Sequence, residues 1–358
     1  MAFVASPENL FGATREEIAS LFADLGQPAF RARQVYRWIY ARRALDFQGM
    51  SDLPRGIRED LAARFRVAHP KIVERYGSRD GTTRCLLELE DGRKVETVDI
   101  PDSGRRTVCI STQVGCPLKC SFCFSGTVRF ERNLTPGEIL GQFLLAESQR
   151  QRLPARTNVV FMGMGEPLLN SKAVLASLQV LTDPEGFAVS PRRITVSTAG
   201  LASELERFAR EAPPVGIAVS LHASNNETRG RLMPINRSYP LEMLLEATRR
   251  LPLPRRRRIT FEYVLLGEEN DSSADARGLA ELLRGVRAKV NLIAFNPWPG
   301  VPHRASTAEA TERFMEILSQ RGYTVSLRRS RGDDILAACG QLAGSQLGSG
   351  SRVDFAAG

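Results

Sequence analysis

Strand-like runs alternate with amphipathic, helix-like runs along most of this chain, from Arg106 to Arg328. Repeated units of this kind predict a parallel sheet with helices packed outside it. About six units fit an open or partial (β/α)6 barrel better than a two-unit fold. We therefore expect an α/β fold with functional residues in the loops that follow the strands. The expected strands are Thr107–Ser111, Asn158–Met162, Arg193–Ser197, Gly216–Leu221, Ile259–Leu266, Val290–Phe295 and Thr324–Arg328.

The balance of charges narrows the possible partners. Lys and Arg total 49 and Asp and Glu total 40, which gives a formal net charge of +9. This excess fits a polyanion partner such as RNA, and it fits an arginine-rich composition alone equally well. No run approaches the ~18 apolar residues that span a bilayer, and residues 1–20 lack the apolar core of a signal peptide. We expect a cytoplasmic protein that makes no membrane contact.

The sequence ahead of the alternating region has two different patterns. Residues 1–68 indicate a small, basic helical unit, including a helix over Phe30–Arg42 with arginines facing outward. These arginines would either dock a phosphate backbone or form a solvated face. Residues 69–104 contain short strands separated by turns. We expect an accessory RNA-docking domain at 1–68, a β-strand connector at 69–104, a main domain at 105–343 and a flexible tail at 344–358.

Three of the six cysteines have C-x3-C-x2-C spacing, as Cys116, Cys120 and Cys123. They follow the first strand of the alternating series directly. Gaps of this size let a short loop bring several thiolates to one compact metal centre. An iron–sulfur cluster with four irons, held by three thiolates, keeps one iron open for another ligand. Phe122 and Phe124 would shield such a cluster from water.

Structural zinc is the alternative occupant of this loop. Zinc requires four ligands in a closed tetrahedron, so one would have to come from elsewhere in the chain. The histidines His69, His222 and His303 do not have the spacing of a zinc finger. The spacing therefore favours the cluster and leaves zinc as the competing hypothesis.

With this loop, the chain resembles the radical S-adenosylmethionine (SAM) superfamily, whose cluster loop is also C-x3-C-x2-C. The resemblance implies one 4Fe–4S cluster on Cys116, Cys120 and Cys123, with its open iron chelating SAM. Reductive cleavage of SAM then yields a 5′-deoxyadenosyl radical. Phe161–Leu168 is similar to the superfamily's GGE-type motif, in which Glu166 would accept hydrogen bonds from the SAM amino group. The residues expected to bind SAM are Gly165, Glu166, Ser197, Ser220, Leu221, His222 and Asn296.

The C-terminal segment Arg331–Leu342 resembles that of the RlmN/Cfr group of RNA methyltransferases, and the resemblance covers about residues 26–342. It implies methylation of adenosine carbon 2 in the peptidyl-transferase region of 23S rRNA and next to the anticodon of some tRNAs. The target base must leave its stack, so unpaired or flippable adenosines are the plausible substrates. A reducing protein such as flavodoxin or ferredoxin is implied, and we expect a monomer.

Carbon 2 of adenine is electrophilic, so it cannot accept a methyl group by simple displacement from SAM. The resemblance gives Cys339 the role of first acceptor, as S-methylcysteine, and a second SAM per turnover activates that methyl group. It assigns Cys109 to a transient disulfide with Cys339, which resolves the covalent RNA–protein link. Glu96 aligns with the group's proton acceptor. From the residues alone, Cys109 would be a buried strand cysteine and Glu96 a solvated or paired carboxylate.

Three other functions fit parts of the pattern. The first is methylation of carbon 8, which shares all these cysteines. The second is a zinc-bearing RNA-binding module without catalysis. The third is a radical SAM enzyme for a small molecule, although the basic N-terminal unit and Cys339 count against it.

Several further residues lie outside the pattern that the resemblance covers, or are candidates for binding phosphate. Phe124 stands where the group more often has a small residue, so it could reshape the cluster or SAM pocket. Cys85 matches no role in the group and is expected to be structural. Candidate phosphate contacts are Arg255–Arg258 and Arg328, Arg329 and Arg331.

Overall fold

The computed structural model describes residues 7–148, 156–254 and 257–343. The expected tail at 344–358 and two of the candidate phosphate contacts, Arg255 and Arg256, lie outside the described residues. No helix in the described ranges is long and apolar enough to cross a membrane.

The N-terminal unit folds as helices, as its sequence predicts. Its elements are β1 (Glu8–Asn9), α1 (Arg15–Asp24), α2 (Ala29–Tyr40), α3 (Arg55–Arg64) and β2 (Phe65–Arg66), with β1 and β2 paired in parallel. A capping box begins α1, because Thr14 and Glu17 each accept a hydrogen bond from the other's backbone N–H. The predicted helix over Phe30–Arg42 is confirmed as α2, which buries Val35 and Ile39.

Several outward arginines of this unit form ion pairs with the main domain. Arg33 lies 2.6 Å from the Glu185 carboxylate, and Arg37 lies 3.9 Å from it. Arg15 pairs with Glu185 as well and lies 3.7 Å from Asp183. Part of the basic face is therefore paired within the molecule, an arrangement that neither interpretation of the sequence anticipated.

The predicted strands of residues 69–104 are present, but they do not form a separate connector. They are β3 (Lys71–Gly77), β4 (Thr83–Glu88) and β5 (Lys94–Asp102), and β6 (Arg105–Cys109) follows after a tight turn. All four pair antiparallel in sequence order, with Asp102 opposite Arg105. The expected boundary at 104/105 thus falls in a turn within one sheet.

The predicted parallel sheet is confirmed. Its strands are β6, β9 (Thr157–Phe161), β10 (Ile194–Thr198), β11 (Gly216–Ser220), β12 (Ile259–Leu265), β13 (Ala288–Ala294) and β14 (Thr324–Arg328). The chain between β6 and β9 contains a separate antiparallel pair of short strands, β7 (Gln113–Val114) and β8 (Arg132–Asn133). Among the described residues, ten strands form one sheet in the order β14-β13-β12-β11-β10-β9-β6-β5-β4-β3. The molecule is thus an α/β partial barrel extended at one edge by antiparallel strands.

Helices cover the outside of the sheet. They are α4 (Pro136–Ser148), α5 (Ser171–Thr182), α6 (Ala202–Glu211), α7 (Asn226–Leu232), α8 (Leu241–Arg249), α9 (Ser273–Leu282) and α10 (Ala308–Gln320). The inner face of α4 is buried, with Ile139 and Leu140 at 0% exposure. Because the strands run parallel, the loops after β6, β9, β10, β11, β12, β13 and β14 gather at one end of the sheet.

Arg106 on β6 is a buried cation that ties the sheet to α4. Its Nε donates to Asp99 Oδ1 at 3.0 Å and its Nη2 donates to the Ala146 carbonyl at 2.7 Å. Glu147 lies 3.8 Å from Nη1 and also pairs with Arg43 of the N-terminal unit at 2.7 Å. One buried guanidinium therefore helps join the strands, α4 and the N-terminal unit.

We expect Arg106→Met to lower the free energy of unfolding by about 3 kcal/mol, because it leaves buried carboxylates without this cation. Urea denaturation of the purified chain measures the loss. Arg105→Met is the matched control, since Arg105 is exposed and pairs across the turn with Asp102. Equal midpoints for the two variants would show that the buried network does not stabilise the fold.

Candidate active site

The loop that carries the three spaced cysteines lies between β7 and β8, and we call residues 115–131 the cluster loop. Gly115 begins it with φ +72°, and a Cβ at this position would lie 2.1 Å from the Arg129 carbonyl oxygen. Only glycine fits such a close approach without displacing the backbone. The strand pair β7–β8 thus closes the base of the loop and fixes where its cysteines begin.

Cys116, Cys120 and Cys123 line one cavity, as their spacing predicts. Burial raises the pKa of each thiol, to about 12 for Cys116. Without a cation, the site would therefore hold neutral thiols, and a bound metal would release their protons. The donor set is sulfur alone, which suits iron–sulfur clusters and zinc.

Three sulfur donors around one cavity suit a cluster of several irons. No group of three His, Cys, Asp or Glu side chains within the described ranges converges as ligands for one ion. A four-iron cluster does not need that convergence, because each thiolate binds a different iron. These thiols therefore fit the cluster that the family resemblance implies.

The histidines do not supply a fourth zinc ligand. His222 lines the cavity, but the Val264 N–H donates to its Nδ1 at 3.0 Å. Burial lowers the pKa of His222 to about 3, so the ring is neutral and its proton sits on Nε2. His303 makes hydrogen bonds through both ring nitrogens, to Glu269 and Ser121, and His69 Nδ1 lies 2.8 Å from the Pro70 carbonyl oxygen.

Other predicted SAM contacts surround the same cavity, which we call the cluster-loop cavity. The residues of this prediction that line it are Gly165, Glu166, Ser197, Ser220 and His222. Leu221 is fully buried and donates its backbone N–H to the Glu262 carbonyl at 2.9 Å. Asn296 lines a neighbouring cavity instead. The structure thus gathers most of the predicted set at one place.

Glu166 is held rigidly in the cavity wall. Its Oε1 accepts from the Leu168 N–H at 3.0 Å, and its Oε2 accepts from the Ala199 N–H at 2.7 Å. Burial raises the pKa of this carboxyl, while the hydrogen bonds it accepts oppose that shift. Gly165 before it has φ +98°, and a Cβ there would lie 2.5 Å from Gln113 Cβ. The turn therefore requires glycine, and the fixed carboxylate keeps further lone pairs for a donor in the cavity.

Cys109 and Cys339 face a second cavity, which we call the Cys109 cavity. Both are free thiols. Burial raises the pKa of Cys109 to about 12, and the nearby Cys339 adds to this rise. The two cavities share Cys123 and Cys339 in their walls. The predicted pair of redox cysteines therefore lies together, directly beside the cluster cysteines.

Glu96 lies outside both cavities. It is 1% exposed on β5, and its Oε1 accepts from Arg84 Nη1 at 2.9 Å. Its Oε2 accepts from the Ala343 N–H at 2.8 Å. The carboxylate therefore anchors the chain four residues after Cys339, and its role as proton acceptor stays a prediction.

Two charged residues of the site escaped the sequence reasoning. Arg328 was expected to contact phosphate, but it lines both cavities and donates to Met162 Sδ at 3.2 Å. The proximity of Cys339 raises the pKa of Arg328, and Glu262 and Cys109 act in the same direction. Glu262 lines the cluster-loop cavity from β12. Its position as a carboxylate inside an apolar strand is the signal that could have identified it.

The two aromatic residues of the cluster loop have separate roles. Phe122 lines the cluster-loop cavity and contacts the His222 ring edge-on at 4.9 Å. Phe124 lines neither cavity, and its ring stacks on Trp298 with centroids 4.6 Å apart and an 8° angle between planes. The residue that departs from the group's pattern therefore packs against a neighbouring loop and leaves the cavity unobstructed.

Comparisons with known proteins agree with this geometry. The sequence profile of the "Ribosomal RNA large subunit methyltransferase N-terminal domain" matches residues 8–67, and that of the radical SAM superfamily matches residues 110–280. The protein named "Dual-specificity RNA methyltransferase RlmN" in Rhodospirillum rubrum is 48% identical over 350 residues, covering 96% of this chain and 82% of that protein. Its namesake in Alkalilimnicola ehrlichii is 46% identical over 338 residues, covering 94% of each chain.

A solved structure agrees as well. The crystal structure of a radical SAM methyltransferase from Sphaerobacter thermophilus superposes with a TM-score of 0.88 at 43% sequence identity. The match covers 95% of this chain and 100% of that one. Membership of the superfamily implies SAM and a 4Fe–4S cluster as cofactors. By sequence, architecture and the arrangement of its cysteines, this chain belongs to the RlmN family of radical SAM RNA methyltransferases.

Proposed function

We propose that this protein methylates carbon 2 of adenosine in 23S rRNA and in certain tRNAs through a methyl group carried on Cys339. The observation that supports this most directly is that Cys339 and Cys109 share a cavity whose wall also contains Cys123. A methyl carrier needs both an activating centre and a resolving thiol within reach. A radical SAM enzyme without a cysteine carrier needs only the cluster cysteines.

We expect cells that contain this protein to accumulate 2-methyladenosine in 23S rRNA and tRNA, and cells without the gene to lack it. Nucleoside mass spectrometry of both RNA classes measures the difference. Detection of 8-methyladenosine in place of 2-methyladenosine would support the alternative reaction at carbon 8. Unmodified adenosine in both strains would contradict the proposal.

The proposed cofactor arrangement follows the residues of the two cavities. Cys116, Cys120 and Cys123 would hold one 4Fe–4S cluster. The SAM contacts would be the predicted set of Gly165, Glu166, Ser197, Ser220, Leu221, His222 and Asn296. When bound, the cluster and SAM would supply a methyl group and the one-electron chemistry that activates it, with two SAM molecules used per turnover.

The side chains of this protein would divide the remaining work. The Cys339 sulfur accepts the methyl group and presents it at the shared wall of the cavities. Once the carried carbon has bonded to carbon 2 of adenine, the Cys109 sulfur would attack the Cys339 sulfur. The S–S bond would form as the bond between Cys339 Sγ and that carbon breaks, and the electron pair left on the carbon would take up a proton, which releases the methylated base. Glu166 orients SAM through its fixed carboxylate, and Arg328 supplies positive charge beside the two thiols.

The RNA would approach along the rim of the Cys109 cavity, where Arg329 and Arg331 are exposed. These two arginines are suited to phosphate contacts, while Arg258 donates to Thr324 Oγ1 at 2.9 Å. The N-terminal domain, 1–68, would dock the RNA as well. A flavodoxin or ferredoxin would supply electrons, and the enzyme would act in the cytoplasm as a monomer.

Cys339→Ala should abolish methyl transfer to RNA and leave cluster binding intact, because the cluster cysteines remain. Transfer of label from methyl-labelled SAM and iron content per chain measure the two properties. Cys85→Ala is the matched control, since Cys85 is a buried cysteine that lines neither cavity. Full turnover by Cys339→Ala would remove the carrier role from this residue.

Cys109→Ala should instead accumulate a covalent RNA–protein adduct, because the link through Cys339 then has no thiol to resolve it. A denaturing gel with labelled RNA detects the adduct. The double variant Cys109→Ala, Cys339→Ala is the control and should give no adduct. A Cys109→Ala enzyme that turns over without a trapped species would assign resolution to another group.

A further inference from the structure

Residues 295–307 follow β13, and we call them the β13 loop. This loop contacts both the cluster loop and the chain around Cys339. On one side it holds the cluster loop. Trp298 Nε1 donates to the Phe122 carbonyl at 3.1 Å, and its ring stacks on Phe124. His303 Nε2 lies 2.8 Å from Ser121 Oγ, while its Nδ1 is paired with Glu269.

On the other side, the β13 loop holds the chain around Cys339. Asn296 Nδ2 donates to the Cys339 carbonyl at 3.3 Å. Gln341 Nε2 donates to the Pro297 carbonyl at 2.7 Å. Asn296 thus holds the Cys339 carbonyl and Pro297 holds the Gln341 side chain, two and one positions before Trp298.

The contacts that Trp298 and His303 make to the cluster loop do not belong to ligand binding. Trp298, His303 and Ser121 line neither the cluster-loop cavity nor the Cys109 cavity. The same Ser–His–carboxylate order serves hydrolases as a nucleophile, but Ser121 faces neither cavity, and its N–H donates to the Leu232 carbonyl at 3.0 Å. We therefore interpret these contacts as joining the β13 loop to the cluster loop, and not as a second catalytic centre.

We propose that Trp298 and His303 are positioning residues that hold the cluster loop in register with Cys339. This inference rests on the proposed function, because it concerns the distance between the cluster and the methyl carrier. The indole contributes a directed hydrogen bond to a backbone carbonyl and a stacked ring, and the imidazole contributes a second bond to Ser121. Together they clamp the segment Ser121–Phe124, which contains Cys123.

The test compares the reconstituted holoproteins of wild type and Trp298→Leu. We expect the variant to release iron to a chelator about tenfold faster, because it loses both a hydrogen bond and an aromatic stack. Trp298→Phe, which keeps a ring but not the N–H, should fall between the two. Iodoacetamide should also alkylate Cys339 faster in Trp298→Leu, while alkylation of the buried Cys85 should not change.

Trp38→Leu is the matched control, because it makes the same substitution at the other tryptophan, on α2 of the N-terminal unit. Iron release at the wild-type rate in Trp298→Leu, or at an equally raised rate in both variants, would overturn the positioning role. Thermal midpoints of the two variants separate positioning from a general loss of stability. If Trp298→Leu does not fold, Ser121→Ala decides the question, since it removes only the hydroxyl and should still raise iron release about threefold.

Different results would contradict the proposed function and the positioning role of Trp298 and His303. A wild-type protein that takes up no cluster would overturn the proposed function together with this inference. A wild-type protein with a normal cluster and active methyl transfer, beside variants with wild-type iron release and Cys339 alkylation, would overturn the positioning role alone.

Discussion

The active-site arrangement depends on hydrogen bonds between two segments that are distant in sequence. The Phe124 N–H donates to the Gly340 carbonyl at 2.7 Å, and Ser125 Oγ donates to the Leu342 carbonyl at 2.6 Å. These bonds join the cluster loop to the chain around Cys339. Because the donors and acceptors are buried, losing a partner would cost the full desolvation of the other group. Cys339 can therefore stay beside the cluster cysteines while the cavities between them remain open.

The sequence was sufficient for the architecture. Strand-like runs and intervening amphipathic segments predicted the parallel strands, and each of them is present in the structure. The C-x3-C-x2-C spacing predicted thiols around one cavity, and residues at strand ends, such as Ser197 and Ser220, do face it. These successes share a physical cause, since local periodicity and loop spacing determine strand position and side-chain direction. Strand positions and the cysteine cavity depend on local sequence pattern, so they could be predicted from the sequence.

Long-range pairing could not be predicted in this way. Nothing near Arg328 in the sequence distinguishes it from Arg329, yet one lines both cavities and the other is exposed at the rim. Likewise, the Trp298 ring stacks on Phe124, which is distant in sequence. The turns between the strands of the predicted connector at 69–104 could be recognised, but the hydrogen bonds between β5 and β6 that join these strands to the main sheet could not. Such partners become visible only when the chain is folded.

The arginine face of the N-terminal unit has a consequence for how ionic strength acts on this protein. Arg15, Arg33 and Arg37 are substantially exposed while they pair with Asp183 and Glu185. Added electrolyte screens exposed pairs of this kind. Added salt therefore weakens the ion pairs between the N-terminal unit and the main domain over the same concentration range in which it weakens the attraction of the enzyme to a polyanion. A titration with potassium chloride would report the sum of both effects, and its slope would overstate the number of phosphates that the enzyme neutralises.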